Sequence, residues 1–337
     1  MKRTLLAALC IMAAATLQAK SPKLTFDENG EFRILQLTDC HIRYEQPELW
    51  NQTLARIDQI LTAEHPDVVV FTGDIVTGNR STRVDMWHVL LKQMDSYKIP
   101  YVVVYGNHDA EGFPELKRPE MSALVTTGKY VLNTLNEEGE LADMRIPVYA
   151  HKGGKPAFDM YVLDSHDYPE TIGFDKKYGK YAWFTHNQVD WLRNECVAST
   201  KANGGVNVPS MAFFHIPLCE YTEAADKGPI IGVRGERECS GVINSGMFAA
   251  MFETGNVMGV FVGHDHDNNY IVNHCGIALA FGGFSGDDTT YNNLAHGFRV
   301  IVVKEGAREF STWIHDEDGR IRYIAEYKDG ELKRIKK

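Results

Sequence analysis

The stretch DVVVFTGD, residues 67–74, is a run of strand-forming residues closed by Gly-Asp. An unbroken β-branched and aromatic run lacks the polar alternation of a half-solvated strand, so it reads as a strand covered on both faces. The flanking segments agree. Upstream, FRILQLTD (32–39) reads as another strand, and PELWNQTLARIDQILTAEH (47–65) sets Leu49, Leu54, Ile57, Ile60 and Leu61 at helical spacing. Downstream, RVDMWHVLLKQMDSY (83–97) reads as a helix and IPYVVVYGNHD (99–109) as a third buried strand. Alternating strands and helices of these lengths define an α/β layered fold.

Beyond a more irregular middle region, 110–181, the theme returns. FDMYVLDSHDY (158–168) contains a strand, HNQVDWLRNECVAST (186–200) is helical, and MAFFHIP, SGMFAAMFETG and VMGVFVGHDH (211–266) repeat strand, helix, strand. From Tyr270 onward short strands dominate, with a DG turn signal near the end. The fold expected is a four-layer α-β-β-α sandwich of two mixed sheets flanked by helices, in one domain spanning 20–337.

The first 20 residues, MKRTLLAALCIMAAATLQAK, place Lys2 and Arg3 before an apolar run over 5–17 and a small residue, Ala19. That is the layout of a secretory signal peptide, and the run is short for a membrane span. Cleavage after Ala19 is expected, with export to a periplasmic or extracellular location and no transmembrane anchor left behind. The remaining five cysteines, an odd number with no C-x-x-C pair, leave room for one or two disulfides. The formal charge of the whole chain is −10. An acidic balance argues against general nucleic-acid backbone binding and favours a small, locally recognised substrate. Net charge carries no information on oligomeric state.

Five strand ends carry metal-ligating residue types: Asp39 and His41 in LTDCHI, Asp74 in FTGDIV, Asn107 and His108 in VYGNHD, His215 in FFHIP, His264 and His266 in GHDH. In open α/β sheets, sites collect beyond the carboxyl ends of the strands, so separate segments converge there. Taken singly, Asp39, Asp74 and Asp109 would be ordinary turn or cap residues, and His215 a satisfied strand-end histidine. Taken together, carboxylate, amide and imidazole donors suit first-row ions such as manganese, zinc or iron. Seven ligands are too many for one tetrahedral ion and fit two ions sharing a carboxylate.

The ordered series D-x-H, G-D, G-N-H-D, a lone His after an apolar strand, and G-H-x-H resembles the calcineurin-like metallophosphoesterase superfamily, over the span from Asp39 to His266. LDSHDY, YAWFTHNQVDWL, AFFHIPLCEY and INSGMF ahead of VFVGHDHDNNY look like its purple-acid-phosphatase-like branch. The resemblance implies that Asp39, His41 and His266 bind one ion, that Asn107, His215 and His264 bind the other, and that Asp74 bridges them. His108 then stands beside the site as the catalytic acid, oriented by Asp109. Ser165 and His166 in LDSHDY, and His296, are candidate substrate contacts. One departure stands out: the branch has a tyrosine iron ligand where this chain has Thr77.

The activity implied is hydrolysis of phosphate monoesters or diesters by a hydroxide held between two divalent or trivalent ions. The alternative is a catalytically inactive metal-containing protein that binds a phosphorylated ligand.

Overall fold

The computed structural model describes residues 22–336, apart from 79, 112–116, 170–172, 288–290 and 292. The expected signal peptide, 1–19, lies outside the described residues. The first half runs β1 (Glu31–Leu37), α1 (Pro47–Glu64), β2 (Val68–Thr72), α2 (Arg80–Tyr97), β3 (Tyr101–Val104) and α3 (Arg118–Val125). Next come β4 (Met144–Tyr149), β5 (Pro156–Val162), α4 (Phe174–Tyr178), α5 (His186–Ala202), β6 (Ser210–Phe213), α6 (Glu220–Lys227), α7 (Met247–Thr254) and β7 (Val257–Val262). The chain closes with β8 (Ile271–His274), β9 (Ile277–Phe281), β10 (Gly297–Lys304), β11 (Glu309–Asp316), β12 (Ile321–Lys328) and β13 (Glu331–Arg334).

The strands form a seven-stranded sheet, ordered β13-β12-β11-β10-β1-β2-β3, and a six-stranded sheet, ordered β4-β5-β6-β7-β9-β8. Both are mixed. β1, β2 and β3 are parallel and β10 runs antiparallel to β1, while β5, β6, β7 and β9 are parallel and flanked by antiparallel β4 and β8.

Strand periodicity divides the core into three apolar layers. In β2, Val68 and Val70 face the second sheet, where they share a layer with Phe158, Met160, Met211, Phe213 and Phe261. Their neighbours Val69 and Phe71 point the other way, into a layer with Ile57, Ile60 and Leu61 of α1 and Trp87, Leu90 and Leu91 of α2. A third layer packs Ala212, Val260 and Val262 against Leu192 of α5 and Met247 and Met251 of α7. Helix, sheet, sheet, helix is therefore the order of layers. Full burial of each large side chain contributes about 1.5–3 kcal/mol.

The helices start where their sequences direct. Pro47 opens α1, a position where its missing N–H costs nothing, and the helix ends with His65 in a left-handed conformation. Thr185 and Gln188 close a reciprocal capping box at the start of α5. Among the described residues no helix is long and apolar enough to cross a membrane. All five cysteines described are free thiols, so the room that the count left for one or two disulfides is not used. Cys40 and Cys196 explain part of this: each is buried in a different outer layer, on opposite sides of the sandwich.

Candidate metal centre

Every ligand type singled out above lies just past a strand's carboxyl end. Asp39 follows β1 by two residues, Asp74 follows β2, Asn107 follows β3, His215 follows β6, and His264 and His266 follow β7. The two sheets bring these ends together. Asp39, His41 and His266 form one buried group, and Asp74, His215 and His264 a second, the ligand atoms of each lying within 4.8 Å of one another. Asp74 stands between them, with Oδ2 3.2 Å from His215 Nε2 and 3.9 Å from His41 Nε2.

The backbone is strained to make this convergence. Asp39, His41, Asp74 and His264 all have positive φ, at 51°, 43°, 52° and 79°. Non-glycine residues enter that region at a cost and cluster at functional sites. Two motif glycines give room. A Cβ on Gly106 would lie 2.2 Å from Asp74 Oδ1, and one on Gly263 would lie 1.9 Å from Thr38 Oγ1 and 2.7 Å from Asp39 Oδ2.

Surrounding groups fix which atoms face inward. His215 Nδ1 lies 2.8 Å from the Thr72 carbonyl, which turns Nε2 to the site side, toward Asp74. His266 Nδ1 faces the Tyr291 carbonyl at 3.4 Å, and the Tyr291 ring stacks on the imidazole at 4.8 Å. Asp39 accepts the Thr38 hydroxyl and the His264 N–H, while Asp74 Oδ1 accepts the His108 N–H at 2.8 Å. Asn107 Nδ2 donates to the Tyr168 hydroxyl at 3.0 Å.

Two acceptor atoms, Asn107 Oδ1 and His264 Nε2, are buried and unpartnered, and His215 Nε2 faces the Asp74 carboxylate at 3.2 Å. A buried acceptor left without a donor costs about 1–3 kcal/mol, and a cation bound at the grouped Asp74, His215 and His264 would relieve His264 Nε2. Protonation agrees with that fit at two histidines. Burial pushes His264 down to about 3 and His41 down to about 4, leaving neutral imidazoles with free lone pairs. At His215 burial acts in the same direction, but Asp74 outweighs it and raises the pKa to about 10. The same carboxylate field that attracts a proton there attracts a metal ion.

Four residues are placed differently from the sequence expectation. Asp109 does not orient His108. Its carboxylate is buried and accepts backbone N–H groups from Gly106, Asp74, Ile75 and Val76 at 2.7–3.1 Å, which ties the β2 and β3 loops together. The partner of His108 Nδ1 is instead Glu111. Ser165 is buried and its hydroxyl accepts the Ile216 N–H at 2.9 Å, bracing the loop after His215 instead of facing a substrate. His166 Nε2 pairs with Gln188 of the capping box at 2.8 Å. His296 faces Glu317 at 3.0 Å and Asp287 at 3.7 Å, and its ring packs on Phe284, which in turn stacks on His266.

Residues that sequence reading did not assign to the site do line it. Tyr181 sets its ring edge-on to His264 at 4.3 Å and stacks on Tyr168 at 6.0 Å. Tyr168 closes the LDSHDY motif and Glu111 stands two residues beyond GNHD, but only the loop packing makes them neighbours of Asn107 and His108.

A sandwich of two sheets that gathers two adjoining groups of nitrogen and oxygen donors is the scaffold of a two-ion metalloprotein. The family model for calcineurin-like phosphoesterases matches residues 32–268, and the chain belongs to that family. Probable inactive purple acid phosphatase 29 of Arabidopsis thaliana is 31% identical over 339 residues, covering 91% of this chain and 85% of that relative. Phosphatase DCR2 of Saccharomyces cerevisiae is 29% identical, covering 86% of this chain and 54% of the yeast protein. Among solved structures, a dimetal phosphatase from Danio rerio superposes with a TM-score of 0.57 over 88% of this chain and 99% of that one, at 14% identity. That last likeness is one of fold.

Proposed function

We propose that this protein is an exported metallophosphoesterase that hydrolyses small phosphate monoesters or diesters. The observation that carries the reading is the pair of buried donor groups, Asp39, His41 and His266 next to Asp74, His215 and His264, with Asp74 reaching both and the acceptors of Asn107 and His264 left unpartnered. These seven residues would hold two ions. The donor set contains no thiolate, which favours manganese, zinc or iron. When bound, such a pair supplies Lewis acidity, an activated water and charge neutralisation for the phosphoryl group.

The remaining steps fall to the chain. His108 lies beside the first group, its ring centroid 5.6 Å from that of His41. Burial acts to discharge it, but Glu111 and Asp74 outweigh burial and hold its pKa above the ordinary histidine value. The shift favours the protonated ring that a leaving oxygen needs, and the Asp74 contact to its backbone N–H fixes its position. Tyr181 and Tyr291 flank the two groups as aromatic walls. Export rests on the charged, apolar and small-residue layout of residues 1–20.

The second reading is a catalytically inactive protein that binds a phosphorylated ligand through its metals. It is supported by the names of plant relatives, probable inactive purple acid phosphatases 28 and 29, and by Thr77 in place of the tyrosine ligand. The His108–Glu111 pair weighs against it, because phosphate binding needs no proton donor. The deciding experiment loads the purified mature chain separately with manganese, zinc and iron and measures initial rates on nitrophenyl phosphate monoester and diester. Metal-dependent turnover that disappears in Asp74→Asn is expected, with the ratio of rates assigning the substrate class. Two bound ions with no turnover on either ester would sink the hydrolase reading.

A further inference from the structure

The hydroxyl of Tyr168 touches both the Asn107 amide and the carboxylate behind His108. It accepts Asn107 Nδ2–H at 3.0 Å and donates to Glu111 Oε1 at 2.9 Å, while the other Glu111 oxygen pairs with His108 Nδ1. An amide has one oxygen face and one nitrogen face, and only a partner decides which is turned inward. By taking the nitrogen, Tyr168 leaves Asn107 Oδ1 buried and without a partner. By donating to Glu111, it also fixes the carboxylate that holds the His108 ring.

The loop that carries Tyr168 is built to present it. Asp167 Oδ1 accepts the Tyr168 backbone N–H at 2.6 Å, and Arg118, at the start of α3, pairs with Asp164 and, at 3.5 Å, with Asp167. Gln188 Nε2 donates to the Asp164 carbonyl at 2.7 Å and its side-chain oxygen meets His166. The Tyr168 ring is held from the other side by stacking on Tyr181, whose edge lies against His264. The LDSHDY motif thus acts through Tyr168 and not through direct contacts of Ser165 or His166.

We propose that Tyr168 is a positioning residue that couples the second metal site to the His108–Glu111 pair, selecting the Asn107 oxygen for the ion and aligning Glu111 behind the acid. The inference rests on the two-ion reading above. Two variants separate the halves of the coupling. Tyr168→Phe removes both hydrogen bonds and keeps the ring. Glu111→Gln keeps an acceptor for the Tyr168 hydroxyl, and so the orientation of Asn107, but replaces the carboxylate behind His108.

The test is a manganese titration of metal-free wild-type and variant chains, competed against a chromophoric chelator, with thermal unfolding of each metal-free protein as the fold control. In Tyr168→Phe one ion is expected to bind as in wild type and the other about 10–100-fold more weakly, the usual effect of losing a partner behind a ligand. Glu111→Gln should bind both ions at wild-type affinity, with kcat lowered and KM unchanged, and Glu111→Asp should recover part of kcat. Two ions bound by Tyr168→Phe at wild-type affinity would overturn the inference while leaving the two-ion reading intact. Loss of an ion in folded Glu111→Gln would overturn it as well. A wild-type chain that takes up fewer than two ions would overturn the inference together with its parent.

Discussion

The seven-stranded sheet presents oxygen donors, Asp39, Asp74 and Asn107, with a single imidazole, His41, whereas the six-stranded sheet presents imidazoles alone, His215, His264 and His266. Neither face completes a group. Asp39 and His41 need His266 from across the sandwich, and Asp74 needs His215 and His264. The difference teaches that the centre is a property of the interface between sheets. Burial and the neighbouring Asp74 both disfavour the charged form of Asp39, yet the facing His266 and His215 outweigh them and hold its pKa below the ordinary carboxylate value. Ion binding and the packing of the central apolar layer should therefore be linked.

The strongest way to break the comparison is Asp74→Asn, because this side chain alone reaches both groups. Affinity for both ions should collapse and turnover fall to background, read by metal analysis after gel filtration and by ester hydrolysis. Retention of one tightly bound ion would show that the groups are independent. Next in size is a change in the central layer. Phe261 is fully buried there and stacks on Phe213 at 5.4 Å, so Phe261→Ala should cost about 3–5 kcal/mol in denaturant unfolding. It should also weaken ion binding in the folded protein. Leu61→Ala, in the outer layer beneath α1, should destabilise by about 2–5 kcal/mol yet leave ion affinity unchanged.

His108 sharpens the contrast between holding ions and transferring protons. His108→Ala should retain both ions and lower kcat by about 10²–10⁴-fold. The pKa of His108 is raised, so its proton is present below that value and lost as pH climbs through it, above the usual 6.5 of a histidine. Wild-type kcat should then hold on the acid side and decline tenfold per pH unit beyond that point, a limb absent from His108→Ala. Ion removal is a smaller effect. At a hundredfold excess over Kd a single ion adds about 2.7 kcal/mol of apparent stability, so chelation should lower the thermal midpoint of wild type and leave Asp74→Asn unmoved. The smallest expected signal is spectroscopic: with Thr77 at the position of the tyrosine ligand, the iron-loaded chain should show no visible tyrosinate band.

The positions of the candidate groups were legible because a strand end is a local event. A buried apolar run such as DVVVFT followed by Gly-Asp announces itself within eight residues, and an imidazole or carboxylate there is unusual enough to notice. The readings that changed were those that inferred a partner from adjacency. Asp109 follows His108 in the chain, yet the turn after β3 sends the two side chains apart, one to four backbone amides and the other to Glu111. Ser165 and His166 stand out by residue type, but their own hydrogen-bonding needs are met by Ile216 and Gln188, which spends them on shaping the loop. Tyr168 carried no signal as a tyrosine at the end of LDSHDY.

The sequence by itself determined the strands, their burial on both faces and the chemistry available at each end, because side-chain period and residue type are encoded within a few positions. Only the tertiary structure decided which ends meet, which ring nitrogen faces inward and which side of the Asn107 amide is left free. Those depend on contacts between residues as far apart as Asp39 and His264, set by the packing of two sheets and by loop hydrogen bonds that no local pattern specifies.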